Sequence, residues 1–232
     1  MEVLKEATTF LQTKGIENSR LNAERLMGHV LGLPRIDLYL RFEQPLGKHE
    51  RDVYKALLRR RAAHEPLQYI LGVTEFMSLP FKVTPDVLIP RPETETLVER
   101  VVEEMDGQEK ARILDIGVGS GNIAISLAKS MAGSEVVGVD TDESVLSLAN
   151  ENARKNNVER GIQFIVADVR DENFIQVVGH SFDVVVSNPP YISLEEWETL
   201  PEEIREYEPK ATLCDGGDGL SFFRIIAQKG RK

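Results

Sequence analysis

One cysteine, Cys214, is all that the 232 residues contain. An internal disulfide is excluded, and so is a cluster of thiolate metal ligands. The four histidines, His29, His49, His64 and His180, are scattered without ligand spacing, so no metal site is expected. Basic residues are short relative to acids: 28 Lys and Arg against 38 Asp and Glu give a formal net charge of −10. A protein that grips a nucleic-acid backbone ordinarily shows a basic face, and this balance counts against DNA or RNA as the principal partner. The basic run Leu57-Leu58-Arg59-Arg60-Arg61 reads more simply as a solvated helix face than as a nucleic-acid patch. Long apolar runs are missing as well. None approaches membrane-spanning length, and Met1-Glu2-Val3-Leu4-Lys5-Glu6 lacks the apolar centre of a signal peptide, so a cytoplasmic chain is expected. There is no internal repeat and no low-complexity segment.

What is present divides by texture. Residues 2–63 read as helices. Leu4, Ala7, Thr8 and Leu11 share one face, and Gly15 stops that helix. Asn18-Ser19 can cap a second, with Ala23, Leu26, Met27, Val30 and Leu31 as its stripe and Gly32 as its end. Pro34 can open a third, carrying Ile36, Leu38 and Leu40 inward. A fourth, from about Lys48 to Ala63, is expected to bury Val53, Ala56 and Leu57. From Pro66 the pattern becomes short extended pieces broken by Gly and Pro, read as a linking hairpin closed by Val87-Leu88-Ile89-Pro90-Arg91-Pro92. Arg91, stiff between two prolines, is either a surface turn or a pocket wall. Strands and helices then alternate: Arg112 to Ile116, Glu135 to Asp140, Ile162 to Asp168 and Phe182 to Val186 are the strands. Buried apolar strands in that order imply a parallel, doubly wound sheet with right-handed crossovers. The expected domains are helical (1–72), hairpin (73–92) and α/β (93–232).

Two stretches carry chemistry. Gly117-Val118-Gly119-Ser120-Gly121 follows the first of these strands and precedes a helix, where glycines let main chain approach a ligand closely. Its spacing is G-x-G-x-G, not the G-x-G-x-x-G of dinucleotide binders. Asp115 is expected to face the ligand, a charge unwelcome to phosphates and suited to an ammonium. Asp140 ends the next strand, where a carboxylate takes two ribose hydroxyls. Asp168 can accept from an adenine amino group, with Val169 against the ring. Together these favour S-adenosyl-L-methionine over NAD. The second stretch is Ser187-Asn188-Pro189-Pro190-Tyr191, at the carboxyl end of a buried strand, where open α/β sheets bind ligands. The Asn188 side-chain carbonyl and the Pro189 main-chain carbonyl are two acceptors on stiff backbone, with no N–H between them. With the flat face of Tyr191 they suit a planar NH2 group. Asn188 is therefore expected to border both cofactor and substrate, with Pro190 and, where it walls the pocket, Arg91 as further expected substrate contacts. A strand ending in a proline turn is the structural alternative.

Four segments carry a resemblance: Glu65-Pro66-Leu67-Gln68-Tyr69-Ile70-Leu71-Gly72, Ile89-Pro90-Arg91-Pro92-Glu93-Thr94-Glu95, Leu114 to Gly121, and Ser187 to Ile192. The chain resembles the HemK/PrmC family of protein-(glutamine-N5) methyltransferases, from its first helices to about residue 228. The resemblance implies a Rossmann-like class I methyltransferase domain behind a helical domain that helps hold the substrate protein. It also implies methyl transfer to the glutamine of the Gly-Gly-Gln loop of class I peptide-chain release factors, with S-adenosyl-L-homocysteine as product. Asn188, Pro189 and Tyr191 would be the catalytic residues, acting by positioning without an acid or base. The family's sheet continues past the fourth strand, so the domain is expected to be truncated at its carboxyl end. That would leave Val184 to Val186 on an open edge, with a monomer expected unless the edge pairs. The competing readings are a nucleic-acid amino-group methyltransferase and a truncated form that binds without turnover.

Overall fold

The computed structural model describes residues 2–40, 45–106, 108 and 110–230, so Met1, Arg231 and Lys232 of the two ends considered above lie outside it. The chain divides into two compact units, residues 1–72 and 73–232.

The first unit is helical: α1 (Glu2–Thr13), α2 (Ser19–Leu31), α3 (Arg35–Leu40), α4 (Lys48–Ala62) and α5 (Leu67–Leu71). Ala7 and Leu11 of α1 meet Ala23, Leu26 and Met27 of α2 in one apolar cluster, the packing that 3.6-residue periodicity dictates. Four details differ from expectation. The buried face of α4 is Tyr54, Leu58 and Arg61, and Ala56 is exposed. The stripe is rotated because two polar tips find partners inside: the Tyr54 hydroxyl donates to Ala23 O (3.0 Å) and Arg61 Nε to Asn22 Oδ1 (2.9 Å). Ile36 and Leu40 are 71% and 78% exposed, not core. Helix α3 is held instead by polar bonds, since Arg35 and Tyr39 both donate to the buried carboxylate of Glu24, as does Arg20 of α2. Asn18 precedes α2 with φ 48° and makes no side-chain cap; Asn22 serves the Glu17 and Asn18 carbonyls instead. Finally, Pro66 to Gly72 is not extended, because Pro66 starts the short helix α5 and Gly72 ends it at φ 69°.

The second unit opens with an antiparallel hairpin, β1 (Val73–Phe76) and β2 (Leu79–Lys82). Its two-residue turn places Met77 and Ser78 at φ 50° and 59°, the primed geometry that matches strand twist. Then come α6 (Pro92–Glu104), β3 (Arg112–Ile116), α7 (Asn122–Ser130), β4 (Glu135–Asp140), α8 (Glu143–Lys155), β5 (Ile162–Val166), α9 (Phe174–Val178) and β6 (Val184–Ser187). Helix α9 has no counterpart in the sequence pattern, because its five residues are too few to show a period. After β6 follow α10 (Leu194–Trp197), α11 (Glu202–Tyr207), a 3-10 turn (Lys210–Thr212) and α12 (Ser221–Lys229).

The four later strands form one parallel sheet, ordered β5-β4-β3-β6. Strand alternation assigns its faces. Ile113, Val136 and Val186 meet α6 and α7 through Val98, Ile123 and Leu127. Leu114, Val137 and Val139 meet α9 and α12 through Phe174, Val178, Phe222 and Ile226. This is the α/β, Rossmann-like arrangement expected. Among the described residues no helix is long and apolar enough to cross a membrane.

Candidate active site

All four parallel strands end on the same side, and a cavity of about 550 Å³ lies there. Gly117, Val118, Gly119 and Ser120 line it, with Asp140 from the end of β4, Asp168 and Val169 beyond β5, and Asn188, Pro189 and Pro190 beyond β6. Arg91 lines it too.

The glycine turn is fixed from below. Gly117 and Val118 donate to Val139 O (2.9 and 3.1 Å), and Gly119 N donates to Asp140 Oδ2 (3.0 Å). Gly117 and Gly119 have φ 80° and 53°, and no atom lies within 4 Å of where a Cβ would be on either, so a ligand can approach their backbone directly. Asp140 Oδ1 accepts from Thr141 N, and a carboxylate with four lone-pair sites retains capacity for hydroxyls. Asp168 is chelated by Arg170, whose Nε reaches both oxygens at 2.9 Å, and this pairing holds its carboxyl below the usual carboxylate range. Phe222 of α12 also lines the cavity, 5.8 Å from the Arg170 guanidinium.

Three expected residues are not in this lining. Asp115 is wholly buried on the α7 face of β3, so it does not face the cavity; Oδ2 accepts from Ala124 N (3.1 Å) and Oδ1 has no partner among the described residues. Burial drives its pKa up to about 7, with Asp140 adding to the rise and the Ala124 N–H opposing it. Gly121 is spent on packing: a Cβ there would lie 2.8 Å from Ile125 Cδ1 and 3.3 Å from Ala149 Cβ. Tyr191, 53% exposed, lines a second cavity of about 250 Å³ instead.

That second cavity shares Asn188, Pro189, Thr94, Arg91, Leu88 and Thr212 with the first. Asn188 and Pro189 therefore form walls of both. Ser187 Oγ donates to Ile116 O (2.7 Å), and Asn188 Nδ2 donates to Thr94 Oγ1 (3.3 Å), which leaves the Asn188 carbonyl oxygen as its free end. The loop after Tyr191 is braced by residues 213–219: Ile192 N donates to Leu213 O, Asp215 N to Ile192 O and Leu194 N to Gly217 O. Asp215 organises that brace, accepting from Gly217 N, Gly219 N and Ser221 N at 2.8–3.1 Å. The bond from the Ser221 side chain and these main-chain N–H groups hold its carboxyl at about 2. Trp197 and Cys214 are buried together behind the loop with Leu213.

Thr94, Glu208, Asp215 and Phe222 were not anticipated. Glu208 is buried and ion-pairs with Arg91. The string Asp215-Gly216-Gly217-Asp218-Gly219 did carry a turn signal for one of them.

Comparison with known proteins decides the family. Residues 2–72 match the PrmC N-terminal domain, and residues 93–217 match the methyltransferase small domain. A release factor glutamine methyltransferase of Geobacter sulfurreducens is 44% identical over 225 residues, covering 97% of this chain and 76% of that protein. The chain belongs to the release factor glutamine methyltransferase family. A second member, from Chlorobaculum tepidum, is 42% identical over 232 residues, covering 98% of this chain and 79% of that protein. The catalytic domain of human METTL16, solved with an RNA hairpin, shares the fold at TM-score 0.51 and 19% identity, over 75% of this chain and 63% of that one. The chain is accordingly an S-adenosyl-L-methionine-dependent methyltransferase. The donor set fits that cofactor: open glycine backbone, an acceptor carboxylate at the end of β4, and apolar wall from Val118, Val145 and Val169.

Proposed function

We propose that this methyltransferase modifies the side-chain amide nitrogen of a glutamine, the one in the Gly-Gly-Gln loop of a class I peptide-chain release factor. The reading rests on one observation: Asn188 and Pro189 stand between a larger and a smaller cavity and line both. In this reading the larger cavity holds cofactor and the smaller takes the glutamine. Bound S-adenosyl-L-methionine would supply an electrophilic methyl group and leave as a neutral thioether, so the site needs no general acid. The proton that the amide nitrogen sheds on methylation would pass to solvent.

The residues have a positioning task. An amide nitrogen is a poor nucleophile because its lone pair is delocalised. Acceptance of its two N–H bonds by Asn188 Oδ1 and Pro189 O would aim the nitrogen and stabilise the positive charge that develops there. Tyr191 would cover the amide from the second cavity and exclude water. Asp140 would take ribose hydroxyls, and Asp168 with Val169 would meet the adenine. The charge of the unit supports a protein substrate: residues 73–232 carry 29 Asp and Glu against 16 Lys and Arg, a net −13 that repels phosphate backbones. Such a substrate places the reaction in the cytoplasm.

The test is transfer of labelled methyl to purified release factor, DNA and RNA. Label on the release factor glutamine is the expected result, and label on nucleic acid alone would overturn the assignment. Asn188→Ala should cost on the order of 100-fold in kcat with cofactor affinity little changed.

A further inference from the structure

Strand β2 has a strand neighbour on one side only, β1. Its other edge turns to α8, where two asparagines four residues apart, Asn152 and Asn156, take the place of a third strand. The strand residues that face them differ in what they need. Lys82 offers both main-chain groups: Lys82 N donates to Asn152 Oδ1 (2.7 Å), and Asn152 Nδ2 donates to Lys82 O (3.0 Å). Pro80 has no N–H, so only its carbonyl is left, and Asn156 Nδ2 donates to it (3.0 Å). These main-chain partners fix which end of the Asn152 amide is which, since an N–H cannot accept and a carbonyl cannot donate. Asn152 has one N–H more than the strand uses. It goes to Ser120 O in the glycine turn, at 2.8 Å.

We infer that Asn152 is a positioning residue for S-adenosyl-L-methionine, and that through it the hairpin, which lines no part of the larger cavity, belongs to the cofactor site. This rests on the cofactor and not on the substrate proposed above. The glycine turn is held in two halves. Its first half hangs from β4, through the bonds of Gly117 and Val118 to Val139 O and of Gly119 N to Asp140. Its second half lies against α8. The bare Cα of Gly121 lets Ala149 pack close, and Asn152, three residues on and on the same helix face, reaches the carbonyl of Ser120. The peptide between Ser120 and Gly121 is a rigid plane, and both its polar groups are tied: the carbonyl to Asn152, the N–H to Val118 O. Ser120 lines the cavity, so the tilt of that plane sets the wall the cofactor meets. Asn152 is wholly buried, and water cannot replace it as the donor without cost.

Asn152→Asp keeps the shape and the bond from Lys82 N, but sets a carboxylate oxygen against the carbonyls of Lys82 and Ser120. Asn156→Asp makes the same change one turn on, where the carbonyls affected are those of Pro80 and Asn152 and the glycine turn is untouched. Both should lower the melting temperature. Only Asn152→Asp should weaken S-adenosyl-L-methionine binding, by about 10-fold, read by calorimetry at a temperature where each variant is fully folded. Asn156→Asp should stay within about twofold of wild type. A second readout needs no cofactor. Main-chain amides of residues 119–124, followed by hydrogen exchange and mass spectrometry, should exchange faster in Asn152→Asp and not in Asn156→Asp. Wild-type affinity in Asn152→Asp, an equal loss in both variants, or unaltered exchange in the turn would each overturn the inference. If Asn152→Asp does not fold, Asn152→Ala removes the same donors without adding a charge and is read against the same outcomes.

Discussion

A carboxyl group taken wholly out of water, as that of Asp115 is, keeps its proton to higher pH. Its folded pKa of about 7 lies above the ordinary carboxyl value, so between roughly pH 4 and pH 7 the folded chain binds more protons at this site than the unfolded one. Stability from this site is therefore present in acid and lost as pH rises through that window. Asp115→Asn cannot ionise. Its melting temperature relative to wild type should climb from pH 4 to pH 8, by an amount corresponding to roughly 4 kcal/mol. A difference that does not change with pH would contradict the assignment. Asp140 has a different task, its carboxylate both bracing Gly119 and lining the cavity. Asp140→Ala should weaken S-adenosyl-L-methionine binding by about 10-fold or more, read by calorimetry, and unchanged binding would remove it from the site. At this scale the sequence was readable where a cavity-lining side chain sits at or just beyond a strand end, as Asp140, Asp168 and Asn188 do. It was silent where meaning depends on a distant partner: Thr94 meets Asn188 94 positions away, and Arg91 meets Glu208 117 positions away. Asp115 misled because a position next to a glycine turn says nothing about which sheet face its side chain occupies.

Between residue and domain lies the brace formed by residues 213–219 behind the Asn-Pro-Pro-Tyr loop. Gly219 has φ +80°, and a Cβ on it would lie 2.4 Å from Tyr191 O, an approach no side chain tolerates. Gly219→Ala must therefore push the two loops apart just where Pro189 and Tyr191 need to be stiff. Turnover should fall by about 10-fold or more, since misplacement by 1 Å can cost a factor of 100, while cofactor affinity drops much less because the glycine turn at 117–121 is held by β4. Equal losses in both would mean that the brace supports the whole cavity and not the loop alone. Elements this strongly patterned were legible: the four parallel strands, α7 and α8 follow from apolar runs and glycine ends. The misreadings of α3 and α4 share one cause, which is that pattern reading assigns burial to apolar residues only. Helix α4 turned toward Tyr54 and Arg61 because hydroxyl and guanidinium groups found acceptors inside, and α3 left Ile36 and Leu40 in water because Glu24 holds it by polar bonds.

At the scale of the whole chain, each unit has apolar clusters of its own. One cluster draws only on residues 4–71, and the sheet's clusters only on residues 76–226. Charge divides at the same place: residues 1–72 carry 12 Lys and Arg against 9 Asp and Glu, net +3, beside the net −13 of the remainder. Every residue lining the larger cavity falls between 86 and 222. Cofactor recognition should therefore be a property of the second unit alone, which at 160 residues is large enough to bury its own core. A fragment of residues 73–232 should bind S-adenosyl-L-methionine within about threefold of the full chain, a difference under 1 kcal/mol. If the helical unit holds the release factor, the same fragment should methylate it at least 10-fold less efficiently, with the loss in KM and not in kcat, because uniform binding is what has been removed. A loss confined to kcat would place the helical unit's contribution in the catalytic step. Equal efficiency in fragment and full chain would leave it with no part in substrate capture.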